Sequence, residues 1–157
     1  MKKLASMLLV LCLMVGLCGC VGSDAKETKM TVVDNNGESV QISASEILEI
    51  HQSNGVQFNS KYYLAHAYVT GKVQSINYSF TSVYSREVEV YTITLEEGWQ
   101  VEVLKADHAE VENLNVGDTI TIQSVIQTAA GVYVTMRDIG VTGTGSNAKY
   151  KDHTIIN

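Results

Sequence analysis

From residue 61 onward, apolar and polar residues alternate in short runs, the period of strands and not of helices. In residues 61–76, KYYLAHAYVTGKVQSI, the apolar positions Ala67, Val69, Gly71 and Val73 alternate with Tyr68, Thr70 and Lys72. Ile76 falls one residue out of phase, and a bulge near Gly71 restores it. The stretch predicts one long, bent first strand that pairs on both sides, although an edge strand with an incidental glycine fits the same residues. Residues 77–85, NYSFTSVYS, predict a polar and aromatic loop. Residues 86–95 predict a second strand whose apolar face switches from Val88 and Val90 to Tyr91, Ile93 and Leu95, which implies a bulge or burial on both sides. Trp99, Val101 and Val103 alternate as a third strand.

Residues 105–115 break the alternation, and Asp107 with Glu110 predicts a short capped helix with Val111 and Leu114 inward. Val116-Gly117-Asp118 turns into a fourth strand carrying Ile120 and Ile122, residues 128–131 form a loop, and Val132, Val134 and Met136 alternate as a fifth strand that residues 139–141 extend. Upstream, residues 30–33 and 39–42 flank Asp34-Asn35-Asn36-Gly37, a hairpin signal that predicts a small ribbon ahead of the main domain. Ser43-Ala44-Ser45-Glu46 is a capping box opening a helix with Ala44, Ile47, Leu48 and His51 on one face and Asn54-Gly55 as its stop. About three turns do not persist alone, so that face must dock.

Three strands, a helical segment and two more strands are the order of the OB-fold, a mainly β, five-stranded Greek-key barrel, here with an N-terminal helix and a short helix between strands three and four. The chain also resembles the small bacterial proteins grouped as the tRNA anticodon-binding-like OB-fold domain. The resemblance rests on ISASEILEIHQSN, on Lys61-Tyr62, on Val69-Thr70-Gly71-Lys72-Val73, and on the turn and strand from Leu114 to Ile122. It implies the barrel over residues 43–143, followed by a tail at 144–157. It implies no particular activity.

The N-terminus has a different character. Lys2 and Lys3 precede an apolar run at residues 4–17, the composition of a signal peptide. Leu17-Cys18-Gly19-Cys20 then resembles the bacterial lipobox. That likeness implies a signal over residues 1–19, a lipid on the Cys20 thiol, and an extracytoplasmic protein held to the cell envelope. Residues 20–42 then form the lipidated N-terminus, a polar tether and the small hairpin. All three cysteines, Cys12, Cys18 and Cys20, lie in this segment, so the folded domain has no disulfide. The chain carries a formal charge of −6, and loss of Lys2 and Lys3 leaves nine basic residues against seventeen acidic ones. Such a chain does not hold a polyanion by bulk charge.

OB barrels bind ligands across strands two and three and the adjoining loops. On that plan Tyr78, Phe80, Tyr84, Arg86, Gln100 and Glu102 fall near a groove, with Trp99 at the strand entrance. These aromatics either stack on a ligand or serve as core and rim. His51, His66, His108 and His153 are scattered without metal-ligand spacing, and Asp107, His108 and Glu112 share one solvated segment. The chain contains no nucleophile elbow and no phosphate loop. The expectation is a non-catalytic binding module with no cofactor and no metal, whose partner is an envelope protein or a glycan. Single-stranded nucleic acid is the less favoured ligand.

Overall fold

A computed structural model describes residues 30–144 and 147–157. The expected signal at 1–19, the expected lipid site Cys20 and the expected tether at 21–29 lie outside the described residues. The fold is mainly β, with two α-helices and one large sheet. In chain order its elements are β1 Met30–Val33, β2 Ser39–Ile42, α1 Ala44–Ser53, α2 Gly55–Lys61, β3 His66–Val83, β4 Arg86–Leu95, β5 Trp99–Leu104, β6 Thr119–Ala130, β7 Tyr133–Met136, β8 Ile139–Thr142, β9 Lys149–Asp152 and β10 Ile155–Ile156. Single 3-10 turns occupy Glu96–Gly98 and Ala109–Asn113.

The predicted ribbon forms. The Asp34 carboxylate accepts from the backbone amides of Asn36 (2.9 Å) and Glu38 (3.0 Å), and Gly37 adopts φ +83°, which only a glycine takes without strain. The ribbon does not stand ahead of the domain, because β1 pairs antiparallel with the start of β3. The capping box also forms: Ser43 Oγ accepts from the Glu46 amide (3.2 Å), and a Glu46 oxygen accepts from the Ser43 amide (2.9 Å). Helix α1 buries Ala44 and Ile47.

Asn54 ends α1 and starts a second helix that the alternation hid. Its side-chain oxygen caps the Gln57 amide (3.0 Å), and α2 buries Phe58, with Tyr62 one turn later. Residues 61–65, expected to open the long strand, therefore finish a helix and a turn in which Leu64 has φ +64°.

Strand β3 is long and paired on both sides, with β1 along residues 66–68 and with two further partners. Residues 66–72 pair with β6, and residues 73–83 pair with β4. The bulge lies at Gln74 and not at Gly71, since the register passes from Val73↔Leu95 to Ser75↔Thr94. One extra residue there accounts for the out-of-phase Ile76. The strand also runs through the expected loop at 77–83, because each of those residues has a partner on β4. In β4 no register break separates Val90 from Tyr91, and both are buried, so the face switch is burial on both sides. Strand β6 runs through residues 128–130, which were expected as loop, with a bulge at Gln127 that returns Ala129 to the interior.

The expected closed barrel does not form: the strands make one eight-stranded sheet in the order β10-β6-β7-β5-β4-β3-β1-β2, with β5 and β7 parallel and a further pairing of β6 with the first part of β3. Inside lie Trp99, Ile93, Leu95, Ile122, Ile126 and Met136, with Ile47 of α1 closing one side. The segment read as a tail is structured as well: β9 pairs with β8, and β10 pairs with β6.

Gly71 sits in the paired part of β3 against buried Leu95. A Cβ there would lie 3.4 Å from Leu95 Cβ and Cδ1, so alanine fits at contact distance while the branches of valine overfill the space. Gly71→Val is expected to cost about 1–3 kcal/mol in a denaturant melt and Gly71→Ala clearly less. Equal stability of all three chains would show that Leu95 moves aside freely.

Candidate functional site

The β3–β4 hairpin closes through Tyr84 and Ser85, whose φ values of +49° and +64° are those of a two-residue type I′ turn. The candidate aromatics separate along it. Tyr78, Phe80 and Tyr84 are 49%, 59% and 72% exposed, and Arg86 is exposed beside the turn. Trp99 is fully buried in the core, and its indole N–H has no acceptor among the described residues. Trp99 is therefore not part of a groove. Its position at the start of β5 points it inward with Val101 and Val103.

Tyr78 and Phe80 share one face of β3 and meet edge to face with centroids 5.5 Å apart. Tyr91, directly opposite Tyr78 on β4, lies 6.3 Å from it. The Tyr91 hydroxyl donates to Glu112 Oε1 at 2.6 Å, and that bond, with burial, pushes the phenol up to about 12. Burial, helped by Glu89, also raises the Tyr78 phenol. Lys105 Nζ stands 4.8 Å from the Tyr78 ring centroid and 3.6 Å from Glu89 Oε2.

Beside the outer part of this hairpin lies a cavity of about 500 Å³. Val88, Leu104, Ala106 and Ala109 form apolar wall, Tyr150 forms one side, and Glu89, Lys105 and Glu112 supply the charged rim. That volume is within the range of small-ligand sites. Of these residues the alternation pointed only to Val88, as an apolar position of the second strand. Tyr150 and Lys105 carried no signal in the sequence, since the cavity exists only once the C-terminal ribbon folds back.

Gln100 and Glu102 lie half-buried on the other face of the same strands. Gln100 donates to Thr94 Oγ1 (3.2 Å), and Glu102 pairs with Arg137 (3.1 Å). Beyond them, Val83, Val90 and Leu104 are buried apart from the main core. Strand β7 covers β5 only at Trp99–Val101. Past that point the Leu104 amide donates to Asp152 Oδ2 of β9 at 2.7 Å, and the Tyr150 hydroxyl donates to the Val83 carbonyl at 3.4 Å. The ribbon thus closes the edge that β7 leaves open.

Its clamp is a cluster of ionisable groups. Asp152 is buried, and its second oxygen accepts from the Thr154 amide (2.9 Å). Asp107 accepts from the Asp152 amide (2.8 Å) and pairs with Lys151 (3.3 Å). It therefore does not cap the 3-10 turn at Ala109–Asn113, where His108 holds the N-cap position without a side-chain bond. His108 Nδ1 lies 2.7 Å from Glu110 Oε1, and Nε2 is 3.5 Å from Asp152 Oδ2, an ion-pair distance without a formed hydrogen bond. Asp152 holds the imidazole above its ordinary value against burial, and Glu110 adds to the effect. The Asp152 amide holds Asp107 below the usual carboxylate range.

The sign of the pH dependence follows. A raised histidine contributes stability that is full below its unfolded value of about 6.5 and is lost as pH rises through the folded value. The lowered Asp107 contributes above its unfolded value of about 3.9 and loses that contribution in acid. The stability gap between the wild type and His108→Gln is expected to be widest near about pH 5–6 and to shrink on the alkaline side. Urea melts across pH check it; a gap that grows with pH would contradict the charged-imidazole clamp.

Among the described residues, no three His, Cys, Asp or Glu side chains converge as a metal site requires, and no helix is long and apolar enough to cross a membrane. Compared with protein-family models, curated proteins and solved structures, the chain matches none.

Proposed function

We propose that this chain is a non-catalytic, lipid-anchored binding module of the bacterial envelope, built on OB topology, which takes its ligand at the cavity beside the aromatic hairpin. The observation that carries the reading is that cavity, whose apolar wall adjoins the exposed Tyr78 and Phe80 across Lys105. The OB reading is supported by the pairing order, in which β3, β4, β5, β6 and β7 serve as strands one to five. The third and fifth are parallel, and a helical turn lies between the third and fourth. The anchor rests on the lipobox-like Leu17-Cys18-Gly19-Cys20. Fatty-acid labelling that persists in Cys20→Ser would remove that part of the reading.

A second, narrower reading makes the ligand an oligosaccharide. Exposed tyrosine and phenylalanine faces beside Glu89 and Glu112 offer sugar rings a stacking surface and sugar hydroxyls their acceptors. Single-stranded nucleic acid has less support, because Lys105 faces Glu89 and Arg137 is engaged by Glu102. Calorimetry of the full chain against soluble neutral oligosaccharides and labelled oligonucleotides separates these outcomes. Sugar binding that weakens in Phe80→Ala is expected, with no oligonucleotide binding at physiological salt. Saturable oligonucleotide binding that weakens in Tyr78→Ala or Arg86→Ala would replace the glycan reading with nucleic acid.

A further inference from the structure

Strand β3 has β6 on one side only as far as Lys72, after which the Val73 amide and carbonyl still bond to Asp118 and Gly117. Beyond the bulge, no strand among the described residues pairs with that side of β3, so residues 74–83 form an open edge. The backbone groups that face it follow from the turn. In a two-residue hairpin the flanking pair, Val83 and Arg86, exchanges both backbone bonds. Counting back by twos, Ser75, Asn77, Ser79 and Thr81 aim their amides and carbonyls at β4. Ile76, Tyr78, Phe80 and Ser82 aim theirs outward.

Exposed edges of this length are ordinarily blunted by charge, proline or a covering segment. Residues 74–83, QSINYSFTSV, contain no Lys, Arg, Asp, Glu, Pro or Gly. The charges that reach the strip are paired with one another: Glu89, opposite Phe80, lies 3.6 Å from Lys105, and Glu102 and Arg137, both beside Thr81, lie 3.1 Å apart. In a chain of formal charge −6 this is a neutral strip along which two copies can approach.

The strip is also complementary to itself. An antiparallel pair of β3 strands centred on Ser79 sets Tyr78 opposite Phe80 twice and Ile76 opposite Ser82 twice. Each of these pairs joins residues whose backbone groups point outward. Cross-strand aromatic pairs are among the more favourable contacts a sheet can add. A foreign strand could use the same backbone groups, but only a second copy supplies the matching aromatic in both directions.

We propose that two copies of this chain pair edge to edge through residues 76–82 of β3, antiparallel and centred on Ser79. The pairing is independent of what occupies the cavity, so it survives failure of the ligand reading. It continues the sheet from one copy into the next and sets the two aromatic ridges side by side.

Light scattering and sedimentation of the full chain in detergent test it. A concentration-dependent dimer is expected, with Phe80→Lys raising its dissociation constant by roughly tenfold or more through loss of two aromatic pairs and gain of charge. Glu87→Lys, on β4 and off the edge, should leave it in place. Phe80 is 59% exposed, so lysine there leaves the hairpin foldable, which circular dichroism confirms or denies. Ser79→Cys adds a direct readout, because the two Ser79 residues fall opposite each other in a non-hydrogen-bonded pair with Cα atoms about 4.5 Å apart, within disulfide span. Mild oxidation should yield a peptide linked through residue 79 of both copies. A chain monomeric at every concentration would overturn the proposal, as would a dimer indifferent to Phe80→Lys. A residue 79 that stays a free thiol under oxidation while the chain dimerises would also overturn it, by placing the contact elsewhere.

Discussion

Trp99→Ala is expected to lower the unfolding free energy by about 3–5 kcal/mol, the range for removing a large aromatic from a packed core. Trp99 is fully buried, and it begins β5 where three elements converge. Beside it Gly98 holds φ +86°, and a Cβ there would lie 3.0 Å from the Val132 carbonyl and 3.3 Å from Ala44 Cβ. The first strand residue after that turn therefore has little room to relax, and the space left by the indole stays open. Trp99→Phe should cost less than Trp99→Ala, because it keeps an aromatic ring and the lost N–H had no acceptor. As the single tryptophan, Trp99 also reports on itself. Its emission should be that of a buried indole and should not respond to added ligand. A loss below about 1 kcal/mol in Trp99→Ala, or strong quenching by an oligonucleotide, would put the side chain at the surface after all.

Asp152→Ala should be the second most damaging change, and a local one. The carboxylate accepts from the amides of Leu104 and Thr154, so alanine leaves two buried donors without partners. At about 1–3 kcal/mol for each such group, the total is roughly 2–6 kcal/mol if the ribbon stays docked. The more economical response is undocking of β8 and β9, which exposes Val83, Val90 and Leu104 to water. Hydrogen exchange should then quicken at Leu104 and Thr154 before the centre of β3, and proteolysis should begin within residues 138–157. Asp152→Asn keeps one acceptor oxygen and should fall between alanine and the wild type. Uniform exchange across all strands in Asp152→Ala would mean that the ribbon is not a separable unit.

Apolar alternation was informative wherever one face of a strand met the core. Trp99, Val101 and Val103 marked β5 to its ends, and Ile120 and Ile122 marked the start of β6. It failed where polar residues do the packing. In the C-terminal ribbon the buried residues are Asp152 and Thr154, held by the Leu104 amide and the Ser124 hydroxyl, so no hydrophobic period announces those strands. It failed again at residues 77–83, where Tyr78 and Phe80 are strand residues whose apolar faces remain in water. The capping box of α1 was legible because its four residues bond to one another. The second helix was not, because Asn54 serves as stop and cap at once.

The sequence by itself determined the mainly β class, the strand alternation through Gly71, the capped helix, the Asp34–Gly37 turn and the acidic balance, since each depends on neighbours within a few residues or on composition alone. Only the tertiary structure decided which aromatics face water and which fill the core. Tyr78 and Trp99 are similar as residue types, and their burial is set by what packs opposite them: open solvent beyond the hairpin for Tyr78, and the convergence of α1, β5 and β7 for Trp99. The cavity and the open edge of β3 belong to the tertiary structure for the same reason. Both arise from partners distant in the chain, β9 folding back to Leu104 and β6 parting from β3 after Lys72, and no local pattern encodes where a distant strand stops.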